Sequence, residues 1–183
     1  MASDNPISAD NQQERLCTTR TSTEIGWYIA GFVDGEGSFN ISFRKRKDYK
    51  LPWKVSACFN ISQKEESILR FIQKYLGCGT IRSRPDGIWY YEVNTLEEIR
   101  KYIIPFFQRF SFLSQKKQRD FSIFQTIVTC LYSKEHLLEK GVCKILSLRR
   151  FMNDGGKRKY GESEILNAFK ESSETIRQTF RKG

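Results

Sequence analysis

An α+β fold, with an αββαββα core on a four-stranded antiparallel sheet and additional C-terminal helices, is predicted by three observations. Apolar residues recur at helical spacing over Ile25, Tyr28, Ile29, Phe32 and Val33, then switch to period two at Phe39, Ile41 and Phe43. The alternation returns at Val55, Ala57, Phe59 and Ile61, and two more short strands flank the turn Pro85, Asp86 and Gly87. Helical patterns separate and follow the strand pairs, an order that puts helices on one face of an antiparallel sheet.

Taken along the chain, residues 1–22 are polar and lack aromatics and periodicity, so they read as a disordered leader. A single domain follows over 23–183, its core at about 23–132 and a helical extension at about 133–183. Ser22 or Thr23 is placed to cap the first helix, which Gly35 and Gly37 end. The first strand starts at Ser38, and "KRKDYKLP" is the loop before the second. A helix over 64–76 carries Ile68, Leu69, Ile72 and Leu76 on one stripe and stops at Gly77. "GTIRSR" and "IWYYEV" form the second hairpin; helical segments then occupy 95–109, 117–132, 135–152 and 162–180, with "NDGGKRKYG" as a flexible break before the last.

Composition narrows the function. The chain has 31 Lys and Arg against 21 Asp and Glu, a net charge of +10, and residues 40–90 alone hold eleven basic and four acidic residues. Clustered positive charge on one domain suits a polyanion. The five cysteines form no Cys-x-x-Cys pair, which argues against a disulfide framework or structural zinc, and His136 is the sole histidine, which leaves little room for a Ser/His or Cys/His hydrolase. No apolar run reaches membrane-span length and the N-terminus lacks the apolar core of a secretory signal, so the expected setting is intracellular, with no membrane partner and no small-molecule cofactor.

Because helices cover one sheet face, the other meets water or a partner. Its predicted lining is Asn40, Ser42, Arg44, Arg46, Lys54, Ser56, Asn60, Arg82, Arg84, Tyr90 and Glu92. Cations suit phosphates and guanines, while amides and hydroxyls can read base edges, so the expected partner is double-stranded DNA. Arg44, Arg82 and Arg84 are the candidate guanine readers and Lys54 a phosphate contact.

Asp34 and Glu36 lie at the end of the first helix, where the macrodipole is negative and carboxylates are disfavoured. A bound cation compensates such a placement, and Mg2+, with Mn2+ as substitute, favours one or two carboxylates plus phosphate oxygens; Glu36, with Gly35 beside it, is the candidate metal site. Gly31 and Gly35 share a helix face without Cβ atoms, so a second copy could cross closely there, with Tyr28 and Phe32 completing the interface.

"IAGFVDGEG", Ile29 to Gly37, resembles the LAGLIDADG signature of homing endonucleases, and the element order over about 23–132 is similar to that family's core. "FNISQK" (59–64) and "SQKKQRDF" (114–121) also resemble family segments. The resemblance implies that Glu36 is the metal-binding catalytic carboxylate, Gln63 a polar residue positioning the attacking water, and Lys116, or else Lys117, the basic residue at the cleaved phosphate. It implies that Asp34 caps or supports the motif helices. The family's second basic residue has no obvious counterpart in "QKEESILR". One copy of the motif implies a homodimer on a long pseudo-palindromic site, cut across the minor groove to leave short 3′ overhangs. It also implies intron mobility and an organellar setting. The alternative is a non-cleaving nucleic-acid binder on the same scaffold, an RNA-splicing maturase or a DNA-binding regulator.

Overall fold

The structure, a computed structural model, describes residues 21–46, 53–156 and 158–170. Most of the predicted leader, most of the loop between the first two strands and the end of the last predicted helix lie outside the described residues.

Helix α1, Ser22–Glu36, has its cap one residue before the two expected positions. Thr21 is the N-cap, and with Glu24 it forms a capping box in which each side chain takes the other's backbone N–H. Strands β1, Gly37–Lys45, and β2, Trp53–Gln63, pair antiparallel with Phe39 opposite Phe59 and Ser42 opposite Ser56. Helix α2, Glu66–Leu76, ends at Gly77, whose φ of 69° is the left-handed turn that glycine tolerates best. Strands β3, Thr80–Ser83, and β4, Trp89–Val93, complete a sheet of order β1-β2-β4-β3, every neighbour antiparallel.

The predicted helix over 95–109 is present in three contiguous pieces, together α3: Leu96–Glu98, a π-helical turn over Ile99–Ile103, and Ile104–Arg109. Pro105 explains the interruption. It has no N–H for the carbonyl one turn back and its ring presses against that carbonyl, so the ladder widens just before it and Ile104 N–H bonds Ile99 C=O. Helices α4, Gln115–Tyr132, α5, Glu139–Arg149, and α6, residues 162–170, follow.

The core lies between the inner sheet face and the helices. Phe39 sits at its centre, with ring centroids of Phe59, Phe107, Phe112, Phe121 and Phe124 at 5.0 to 5.8 Å. The stretch after α5 is a built turn rather than a loose break: Asn153 and Asp154 adopt φ near 50°, and the Asn153 amide donates to Phe39 C=O at 2.9 Å and Asn40 Oδ1 at 3.3 Å. The fold therefore pins the start of the extension beside β1.

Candidate active site and nucleic-acid interface

The site is assembled where α1, β1 and α4 meet. Asp34 leans away from α1 onto the start of α4. Its carboxylate accepts the backbone N–H of Leu113 at 3.1 Å, that of Ser114 at 2.9 Å, and the Ser114 hydroxyl. A carboxylate at the negative end of one helix thus sits at the positive end of another. Burial pushes the Asp34 carboxyl up, but the Ser114 and Leu113 hydrogen bonds and the Lys117 charge outweigh it and hold the group below the ordinary 3.8.

Glu36, two residues on, is exposed, and among the described residues no hydrogen bond or ion pair engages its carboxylate. Lys117, from the first turn of α4, donates its ammonium to Gly37 C=O and feels the charges of Asp34 and Glu36. Burial is the largest influence on Lys117 and lowers its proton affinity. The two lysines of "SQKKQ" therefore face different ways. Lys116 is exposed and ion-paired with Asp154 at 2.5 Å, beside Arg119 at 2.9 Å from the same carboxylate. Ser114 caps α4, and of the two lysines named from the sequence it is Lys117 that is turned back under Gly37, while Lys116 faces away toward Asp154.

Gln63 ends β2, two residues beyond Ile61, the partner of Gly37, so it lies at the same end of the sheet as Glu36. Its Oε1 accepts the Lys64 N–H at 3.3 Å, and among the described residues no hydrogen bond joins it to Glu36 or Lys117.

On α1, Ile25, Ile29, Ala30 and Val33 are buried, whereas a Cβ at Gly31 or Gly35 would meet nothing within 4 Å. Tyr28 is 43% exposed, and Phe32 is half-buried with its ring 6.4 Å from that of Tyr28. The four residues form an open stripe of aromatic rings and bare backbone. Gly26 has the opposite role, since a Cβ there would stand 2.3 Å from the Phe110 ring. Sequence reading missed it because only the partner reveals the need for glycine.

The register confirms a common outer face. Asn40 lies opposite Cys58, Ser42 opposite Ser56, Arg44 opposite Lys54, Asn60 opposite Glu92, and Arg82 opposite Tyr90. Cys58, Ser62 and Thr80 belong to the same face by parity, and the parity of the strands was sufficient to find them. Two cations are already engaged: Arg82 pairs with Glu92 at 2.6 Å, and the Arg84 guanidinium lies 3.8 Å from the Tyr90 ring centre. Arg84 and Arg46 lie just beyond the ends of β3 and β1. Asn153 also reaches this face through Asn40, a contribution from the extension that no local pattern announced.

A divalent cation fits the donors available. Glu36 offers hard carboxylate oxygens, and the Gly35 carbonyl belongs to the last turn of α1, whose carbonyls lack partners further along the helix. Among the described residues no group of three or more His, Cys, Asp or Glu could hold a metal ion.

Residues 29–128 match the LAGLIDADG endonuclease family. The chain is 35% identical over 133 residues to probable intron-encoded endonuclease 3 of Neurospora crassa, a match covering 70% of this chain but only 25% of that protein. It therefore spans about a quarter of the length of that relative. Its fold is similar to that of the archaeal intron-encoded homing endonuclease I-Vdi141I complexed with DNA, at a TM-score of 0.77 and 26% identity, covering 84% of this chain and 99% of that one. It is also similar to I-SmaMI bound to uncleaved DNA target in the presence of calcium ions, at a TM-score of 0.69 and 32% identity, covering 80% of this chain and 49% of that one.

Proposed function

The chain belongs to the LAGLIDADG endonuclease family, and from that premise we propose that two copies of it cut both strands of a long pseudo-palindromic DNA site, in the service of intron mobility. The observation that carries this reading is the Glu36 carboxylate, exposed and unengaged by any described residue, at the end of a helix whose glycine stripe is open. Crossing two such stripes brings two Glu36 side chains together at a two-fold axis, next to the sheets that hold the duplex.

Two Glu36 carboxylates, the Gly35 carbonyls and the phosphate oxygens of the duplex make an all-oxygen donor set suited to Mg2+, with Mn2+ a substitute. Such an ion supplies positive charge to the reacting phosphate and lowers the pKa of water. The protein's own groups do the rest. Gln63 orients the attacking water from the end of β2. Lys117, whose proton affinity burial lowers, stands ready to give a proton to the departing 3′ oxygen. Asp34 keeps α4, and with it Lys117, fixed against α1. The outer sheet face reads the bases with Asn40, Ser42, Arg44, Ser56, Asn60, Arg82 and Arg84, while Arg46 and Lys54 hold phosphates.

The test uses a duplex selected from a randomised pool by binding, incubated with the protein in Mg2+ or in Ca2+. We expect cutting of both strands in Mg2+, binding without cutting for Glu36→Gln, a rate lower by about 100-fold or more for Lys117→Met, and a rate within about threefold of wild type for Lys116→Met. Binding by the wild-type chain with no Mg2+-dependent cut would overturn the proposal in favour of a regulator, and RNA-dependent enhancement of splicing would favour a maturase.

A further inference from the structure

Strand β1 is an edge of the sheet, and its outer side is covered by the end of α5 and by residues 158–160 of the extension. Between them lies a cavity of about 450 Å³. Five of the side chains lining it are cations, Arg44, Lys45, Arg149, Arg158 and Lys159; Ser42 opens it onto the outer sheet face, and no carboxylate lines it.

The extension is fastened so as to present these groups. Tyr160 packs on Trp53 with ring centroids 4.8 Å apart, Lys45 pairs with Glu164 at 2.5 Å, and Arg150 pairs with Glu162. Glu162 also acts through its charge on Arg149 and Arg158 without an ion pair to either. Among the described residues Arg44, Arg149, Arg158 and Lys159 have no ion pair. Arg158 donates to Arg149 C=O at 2.9 Å and Met152 C=O at 3.0 Å, which fixes its guanidinium against the backbone at the end of α5. Arg149 stands 5.1 Å from the Phe43 ring centre, and its Nε is buried without a hydrogen-bond partner. Burial, then the Arg158 charge, push Arg149 down to about 10, against a smaller upward pull from Glu162. A merely solvated basic surface keeps its cations apart and wet; here Arg149 is half-buried with an unused donor and feels the charge of Arg158. An anion removes both penalties at once.

We infer that this cavity is a phosphate-binding site that grips the DNA backbone outside the strip of base-reading residues, an assignment that rests on the endonuclease reading above. The occupant is a backbone phosphate rather than a free anion because Ser42 and Arg44 belong both to the cavity and to the sheet face on which the duplex lies. The extension then serves to lengthen the footprint of each protomer, by a contact that carries no sequence information.

The experiment is the salt dependence of binding to a non-cognate 30-base-pair duplex, measured by fluorescence anisotropy on the full chain. Arg149→Gln and Lys159→Gln are compared with wild type and with Lys74→Gln, an exposed lysine on α2, after thermal melts show each variant folded. Each phosphate contact contributes about 0.9 to the slope of log K against log salt, so each cavity variant should be shallower by about that amount, with Lys74→Gln at the wild-type slope. Lys159 is exposed, so its variant remains informative if Arg149→Gln fails to fold. Wild-type slopes in the cavity variants, with the wild type itself binding in a salt-dependent way, would overturn the cavity assignment and leave the endonuclease reading standing. A wild-type chain that binds no duplex would overturn both.

Discussion

Asp34 and Glu36 are two residues apart, yet their surroundings give them opposite work. Asp34 is consumed by three hydrogen bonds at the start of α4, whereas Glu36 meets no described partner. The first is a structural acid, and its effect on stability has a definite sign. Its folded-state pKa lies below the ordinary 3.8, so the stabilisation is fully present above that value and fades as pH falls through the lowered one. Asp34→Asn should therefore destabilise the folded chain at pH 7 by up to about 1 kcal/mol, since a neutral amide replaces the charged acceptor of the Leu113 and Ser114 hydrogen bonds. The cost should shrink as urea melts are taken below pH 3.8; a difference between the two proteins that stays constant down to acid unfolding would contradict this role. That the pair would divide in this way was not legible from spacing, because the partner of Asp34 is 80 residues away in the chain. The family resemblance assigned Asp34 to supporting the motif helices, and its hydrogen bonds to Leu113 and Ser114 are of the kind such support requires.

At the scale of the element, α1 has two faces with glycines that do different things. Gly26 lies under Phe110 and Gly31 under nothing. Gly26→Ala must displace a packed ring and should destabilise the folded chain by about 1–3 kcal/mol. Gly31→Leu should leave the monomer's melting temperature unchanged or raised, since a helix gains from losing glycine, while abolishing self-association. Thermal melts at low protein concentration and sedimentation at high concentration separate the two effects; a dimer that survives Gly31→Leu would show that α1 does not form its interface. The elements themselves were readable, because period two and period 3.6 are imposed by burial of one face and survive any change in detail. Their ends were less so. Thr21, not Ser22 or Thr23, caps α1 because only Thr21 has a glutamate three residues on, and the turn at Asn153 takes its shape from hydrogen bonds to β1, which local sequence does not encode. Lys117 rather than Lys116 faces the site for the same reason: one step along a helix rotates a side chain by about 100°, and only the position of the cap fixes the phase.

For the whole molecule, the function we propose makes one copy of the chain an incomplete nuclease. It offers one Glu36 carboxylate at the end of an open glycine stripe. If both strands are cut at a site shared across a two-fold axis, the cutting rate must follow the concentration of pairs. Below the dissociation constant of the dimer it should rise with the square of protein concentration. Two copies joined by a flexible linker of about 30 Gly and Ser residues, spanning about 30 Å, would make the second encounter intramolecular at an effective concentration of about 1 mM. The linked protein should then cut with first-order dependence at concentrations where the single chain has become inactive, and Glu36→Gln in one copy alone should prevent the double-strand cut. The decisive comparison pairs kinetics with sedimentation at equal concentration. A chain that sediments as a monomer on its DNA and still cuts both strands in proportion to its own concentration would show that the carboxylates need not meet, and with that the role assigned to the stripe of α1 would fall.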